Sequence, residues 1–408
     1  MTNSKKNILF VINDFNIGGA ELFALRLGIA LQTHYNIYIL DKYPINSDAL
    51  IKQRFIEKGF IVLNRFQDLP KWKEKLYWKI NALYALFGKK GKFTELKQSF
   101  QDRQLKKVIK NKSIQLIHSH YFSADCFVRN SLLSKKLNWV ITMHGDYNRS
   151  VYERMEEGKE IFLEKAISNI SEVNALTYVA DVNLDIISDY NIVPSKSKKI
   201  RLGLEIEKLE NRLNRDSEIS EKSFTFCMVA RSNPDKGWQI MIDSFLELNK
   251  KHPSTKLICV GPIEGVVKEL ASIHSNNTAI EFTGYTERPS DFIVKSDICV
   301  LPTYFEGESS PYSVIEYLAY QKPVISTNKG EIKEMLDAEG HSAGIILELT
   351  DNGKPSAVDL VKAMEELMLD KELYIEKVKS TEIAFEKFTM EQCKEEYIKI
   401  YEELLNGK

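Results

Sequence analysis

Two pairs of charged residues carry the strongest chemical signal in the sequence. Glu308 and Glu316 are separated by seven residues in EGESSPYSVIEYLAYQKPVIS, 306–326. Arg231 and Lys236 are separated by four in ARSNPDKG, 230–237. Two cations at a strand end, opposite the start of a helix, suit a diphosphate, because arginine offers a bidentate fork and lysine a mobile point charge. A solvated turn explains the same residues, and Pro234-Asp235 make a turn in either case. Ser310 suits an N-cap and Pro311 the first helical position. That cap would direct the N–H groups of Tyr312 and Ser313 at an anion. Carboxylates do not bind phosphate, but they accept hydrogen bonds from the vicinal hydroxyls of a ribose or a hexose. Two carboxylates flanking an anion site therefore describe a nucleotide-sugar, with sugars on both sides of a diphosphate. The plain alternative is a charged loop before a well-capped helix.

Further candidates stand where apolar runs end in polar residues. Gly18-Gly19 separate a strand from a helix, either as a tight turn or as a close backbone approach to an anion. They do not form a GxGxxG dinucleotide fingerprint. His118 and His120 end IQLIHSH, and His144 ends WVITMH. The first two suit the acceptor side of a cleft or, equally, plain backbone contacts at a strand end.

The elements that must position these residues alternate in type. NILFVIN (7–13) reads as a buried parallel strand, 18–34 as a helix and 35–41 as a strand, with further strands at 114–120 and 139–145. The scheme restarts after residue 200, with strands at 224–231, 256–261, 279–284, 297–302 and 323–327 and helices near 237–250, 264–275 and 311–321. Repeated strand–helix alternation implies parallel sheets with right-handed crossovers. The expectation is an α/β chain of two doubly wound Rossmann-like domains facing across a cleft. Their expected extents are 1–200 and 201–385, followed by a C-terminal helix, 386–408, that packs back on the N-terminal domain. The polar stretch 195–222 reads as the join, and 371–405 as a charged helical pattern.

Bulk properties set limits. The 408 residues carry a formal net charge of −1, with 43% hydrophobic and 28% charged residues, so global charge steers no partner, nucleic acid included. Five cysteines show no metal-type spacing; Cys227, Cys259 and Cys299 sit in apolar strand-like runs and read as reduced core thiols. The N-terminal apolar run is too short for a signal peptide. No 18-residue apolar span occurs. The segment 71–93 carries seven lysines against one glutamate around Trp72, Leu76, Ile80, Leu83 and Phe87. It suits a membrane surface or a helix packed on the first sheet. The expected location is cytoplasmic, at the inner face of the cell membrane.

Taken together, GGAE at 18–21, HG at 144–145, R-SNPD-KG at 231–237, E-SSPYSVI-E at 308–316 and KPVIS at 322–326 resemble the retaining GT-B glycosyltransferases of family 4, in order and from end to end. The resemblance implies that Glu316 holds the ribose hydroxyls, Glu308 the donor hexose, Arg231 and Lys236 the diphosphate, and that His144 sits near the donor sugar. Tyr285 and Ser309 join Gly18, Gly19, Ser310, Tyr312 and Ser313 on the donor side. The family usually has Glu-Gly-Phe where this chain has Glu308-Ser309-Ser310, and Asn where it has Leu202; Glu306-Gly307 competes with Glu308 on type but not on spacing. The implied activity is metal-independent and cofactor-free transfer of a hexose or N-acetylhexosamine, with retention, from a UDP-sugar to a glycan, lipid-linked or protein acceptor. A non-catalytic partner subunit of the same fold is the competing reading. Retention of Arg231, Lys236, Glu308 and Glu316 speaks against it.

Overall fold

The computed structural model describes residues 5–13, 18–41, 50–63, 70–86, 92–132, 137–206 and 224–407. It divides into two compact units, Met1–Gly203 with Met390–Lys408, and Leu204–Thr389.

The first unit is built on a seven-stranded parallel sheet. Its strands are β1 (Lys6–Ile12), β2 (Tyr35–Asp41), β3 (Ile61–Leu63), β4 (Leu116–His120), β5 (Asn138–Met143), β6 (Ala175–Tyr178) and β7 (Ser197–Lys199), in the order β3-β2-β1-β4-β5-β6-β7. The run Ile8–Ile12 has no exposed surface, as expected of a strand covered on both faces, which is why it reads as a continuous apolar block rather than an alternation. The helix Gly19–Leu31 buries Phe23, Ala24, Leu27 and Leu31, spaced on one helical face.

The second unit repeats the plan. Strands β8 (Thr225–Val229), β9 (Lys256–Val260), β10 (Ile280–Gly284), β11 (Ile298–Leu301) and β12 (Val324–Thr327) precede a short antiparallel pair, β13 (Asp337–Ala338) with β14 (His341–Ser342), and then β15 (Gly344–Leu347). The six-stranded parallel sheet runs β10-β9-β8-β11-β12-β15. Cys227, Cys259 and Cys299 lie in it at no more than 2% exposure, and burial raises the Cys259 thiol pKa.

In both sheets the strand order reverses beside the first strand, between β1 and β4 and between β8 and β11. Connections on the two sides of such a reversal leave toward opposite faces, so a crevice opens beyond the strand ends.

Several expected boundaries move. The helix near 311–321 runs Tyr312–Ala319. Gln321 takes a left-handed turn (φ 55°), and Lys322 N–H closes on Tyr317 O at 2.9 Å. The charged pattern 371–405 is two helices, Lys371–Glu386 and Met390–Asn406. Between them Phe388 is buried and its carbonyl accepts Leu204 N–H at 2.8 Å. The second of these helices belongs to the first unit, presenting Met390, Cys393, Tyr397, Ile400 and Tyr401 to it. Of the join expected at 195–222, residues 207–222 lie outside the described residues, as do 87–91 of the basic segment 71–93; the rest of that segment forms the helix Lys71–Leu86 and the start of the helix Lys92–Asn111.

Candidate functional site

In the second unit the site is built at the β8/β11 reversal. After β8 the chain turns through Pro234–Lys236, where Asn233 Oδ1 accepts Asp235 N–H at 2.9 Å. Gly237 then starts the next helix at φ 88°, and a Cβ there would stand 2.2 Å from Pro302 O. Only glycine combines that dihedral with that approach, and the turn is thereby pressed against the end of β11.

The result is a buried ion pair. Lys236 Nζ donates to Glu308 Oε2 at 2.5 Å, and the two side chains are only 9% and 6% exposed. Thr303 Oγ1 donates to the same carboxylate oxygen at 2.9 Å. Lys236 Nζ also stands 5.0 Å over the Phe305 ring, a cation–π geometry. Glu308 thus has its charge matched, with one oxygen accepting two hydrogen bonds. Two further Lys236 protons are available to an anion. The competing Glu306 is exposed and pairs with Lys329 at 2.6 Å. Burial, like spacing, singles out Glu308.

Arg231 occupies the same turn but is exposed. Its carbonyl braces the turn by accepting Trp238 Nε1–H at 2.8 Å and Asn233 N–H at 2.7 Å. The helix carrying Glu316 begins one residue later than expected. Pro311 is its N-cap, with no side-chain capping bond, and Ser310 Oγ points instead to Met335 Sδ at 3.6 Å. A proline at the cap contributes no hydroxyl to the first turn, so Ser310 does not close it; Ser313 begins the same turn beside Tyr312. Ser309 and Ser310 are buried, as is Glu316 one turn into the helix. Ser309 is fixed through its carbonyl, which accepts Glu331 N–H at 2.8 Å. Tyr285, after the turn at Gly284, is 42% exposed. Lys322 donates to Val294 O and Ser296 O at 3.2 and 2.6 Å, so it caps a short helix and takes no part in the site. Thr303 was missed in the sequence, although a polar residue two places past the end of an apolar strand is the available signal.

In the first unit His144 follows β5, with Gly145 at φ 124° turning the chain away. His144 is partly exposed, and protein packed around its ring pushes the pKa down to about 3. The imidazole is neutral across the physiological range. Asp146 Oδ2 accepts the backbone N–H of Phe122, while its Oδ1 is enclosed with no hydrogen-bond partner among the described residues. Burial pushes the Asp146 carboxyl up to about 6, against the pull of the backbone N–H donors. Gly18 caps its helix in an extended conformation, its carbonyl accepting Leu22 N–H at 3.1 Å, with Gly19 exposed at the first position.

The expectation that His118 and His120 line an acceptor surface is corrected: neither has any exposed area. His118 Nδ1 bonds Tyr401 OH at 2.6 Å and Nε2 bonds Thr142 Oγ1 at 2.7 Å. Both partners are interior hydroxyls, so the ring is a saturated core group. Burial lowers the pKa of each, with neighbouring imidazoles adding to it. The strand-end pattern could not reveal this, because Tyr401 arrives from 283 residues away.

The Lys236–Glu308 geometry fixes the outcome of truncation. Lys236→Ala leaves a buried carboxylate unpaired, and such a break costs about 3–5 kcal/mol. The double variant Lys236→Met/Glu308→Leu removes both charges and should regain most of it. Urea midpoints of the three proteins measure this; an unchanged midpoint for Lys236→Ala would show that Glu308 is not left buried and unpaired.

Residues 210–381 match the sequence model of the family described as glycosyl transferases group 1. Two uncharacterized glycosyltransferases of Methanocaldococcus jannaschii are similar. One is 30% identical over 148 residues, 35% of this chain and 36% of that protein. The other is 27% identical over 312 residues, 73% of this chain and 78% of that protein. Among solved structures, Anabaena HepE in complex with UDP and glucose superposes with a TM-score of 0.71 at 15% identity, covering 97% of this chain and 99% of that one. The fold is that of the GT-B glycosyltransferases, two parallel-sheet Rossmann-like domains, and the group 1 pattern lies on the second of them.

Proposed function

We propose that the protein is a retaining, metal-independent glycosyltransferase that moves a hexose or N-acetylhexosamine from a UDP-sugar to a hydroxyl of a glycan or lipid-linked acceptor. The observation that carries this is the buried Lys236–Glu308 pair beside an uncapped helix N-terminus, in the segment that matches the glycosyl transferases group 1. A lysine with unspent donors, an exposed Arg231 on the same turn and the first N–H groups of the helix Tyr312–Ala319 are three sources of positive potential at one strand-end crevice. Such preorganised donors stabilise charge that develops on a leaving diphosphate. UDP as the nucleotide is supported by the likeness in fold to Anabaena HepE, whose structure is in complex with UDP and glucose.

In this reading the bond from the sugar C1 to the diphosphate oxygen breaks as the acceptor oxygen bonds C1 on the same face. The acceptor proton passes to the departing phosphate oxygen. No enzymic nucleophile is required, and Glu308, tied to Lys236 and Thr303, is held as an acceptor for sugar hydroxyls. Glu316 serves the ribose, and His144 offers its ring to a sugar hydroxyl. Tyr285 and Ser309 complete the donor side.

The helix Lys71–Leu86 supports a peripheral membrane role at the cytoplasmic face. Trp72 and Leu76 are 62% and 48% exposed among lysines, the composition of an interfacial helix. No helix among the described residues is long and apolar enough to cross a membrane.

Three measurements test these assignments. Glu316→Gln should weaken UDP binding by calorimetry about ten- to a hundredfold, the worth of a hydrogen bond to a charged group; unaltered affinity removes Glu316 from the ribose. Transfer should survive EDTA, since fixed cations do the neutralising; loss restored by Mn²⁺ or Mg²⁺ would overturn metal independence. Trp72→Asp/Leu76→Asp should lower co-sedimentation with anionic phospholipid vesicles, and equal binding by both proteins would refute the membrane contact.

A further inference from the structure

Beneath His144 lies a stack of imidazoles. The rings of His118 and His120 are 4.2 Å apart at 37°, and those of His120 and His144 are 5.5 Å apart at 33°. Phe10 meets His118 and His120 edge-on, and Phe23 meets His120 and His144 in the same way. His120 Nδ1 lies 3.2 Å from His144 Nε2. The other nitrogen of His120, Nε2, is fully enclosed and has no hydrogen-bond partner among the described residues.

We propose that His120 is a positioning residue that locks His144 into its Nδ1–H tautomer, so that His144 presents a hydrogen-bond donor and not an acceptor to its ligand. Both rings are neutral, so each carries one N–H, and one proton lies between them. If His144 Nε2–H were the donor, His120 would have to carry its own proton on Nε2, burying an N–H with no acceptor. If His120 Nδ1–H is the donor, the enclosed Nε2 is a bare lone pair. Orphaned buried N–H groups are rarer and costlier than under-satisfied acceptors. The second arrangement therefore holds. It makes His144 Nε2 an acceptor and places the His144 proton on Nδ1, which makes no hydrogen bond among the described residues. His118 fixes the far side of the stack, because both its nitrogens are engaged by hydroxyls of Tyr401 and Thr142. Thr142 is held in turn by Thr177 at 2.7 Å and by Tyr397 at 2.8 Å.

The inference about the ligand rests on the transferase reading: a neutral Nδ1–H would donate to a sugar hydroxyl or to oxygen that gains negative charge, and would not act as a base. The tautomer itself does not rest on it. Ring ¹⁵N spectra of histidine-labelled, ligand-free protein near neutral pH, with His144 assigned by its loss in His144→Gln, read the tautomer directly. The expected pattern is a protonated Nδ1 and a pyridine-like Nε2. His120→Phe keeps the stack but removes the donor, and should shift His144 toward the Nε2–H form. It should also lower turnover of the nucleotide-sugar about tenfold, the scale of one neutral hydrogen bond, with UDP affinity unchanged. His120→Asn, whose amide N–H falls near the Nδ1 position, should restore both. A wild-type His144 protonated on Nε2 overturns the proposal, even if His120→Phe does not fold. So does a His120→Phe protein with an unchanged spectrum or unchanged turnover. If no nucleotide-sugar is turned over by the wild type, the transferase reading fails while the spectrum still decides the tautomer.

Discussion

The reversal of strand order beside the first strand of each sheet is the constraint from which the site follows. Right-handed crossovers place connections on one face up to the reversal and on the other beyond it. The loops after β8 and β11 therefore meet beyond the strand ends, where Tyr304 N–H bonds Asp235 O at 2.8 Å. Lys236 comes from the first of these loops and Glu308 from the second. Their meeting at 2.5 Å is a property of topology, since 72 residues separate them in sequence.

A buried ion pair of this kind is a poor source of stability. Desolvating two charges costs several kcal/mol each, and their attraction does little more than offset it. The structure lowers that cost by satisfying the pair further, through Thr303 on the carboxylate and the Phe305 face under the ammonium. Such a pair is buried, hydrogen-bonded and charged before any ligand arrives, and buried fixed donors act most strongly on developing charge. Gly237, pressed on Pro302, belongs to the same design: its side-chain-free approach holds the lysine turn against the glutamate loop.

The first unit solves a different problem. Its sheet ends in three histidines, and a parallel sheet interior offers them little water. The C-terminal helix, returning to this unit after the chain has passed through the other, contributes Tyr397 to a buried hydroxyl cluster with Thr142 and Thr177, and Tyr401 to His118. Polar groups in a low-dielectric interior either find partners or become costly. Here the hydroxyls engage both nitrogens of His118, while His144 meets His120 at 3.2 Å.

The sequence alone determined the two parallel sheets, because continuous apolar runs alternating with amphipathic ones admit few other packings. It also marked where charged residues gather beside the second sheet, because Arg231, Lys236 and Glu308 stand where apolar periodicity stops and Glu316 follows one turn into the next helix. It could not settle the helix start at Tyr312, since serine and proline can each occupy the cap and the choice depends on what Ser310 touches. Nor could it separate His118 and His120 from a ligand surface. That distinction turns on whether hydroxyls from a helix nearly three hundred residues later reach them, and local periodicity holds no record of such a distance. Tertiary structure alone decided the Lys236–Glu308 pair for the same reason. Spacing fixes which face of an element a side chain occupies, whereas its charge partner is fixed by which elements the topology makes neighbours.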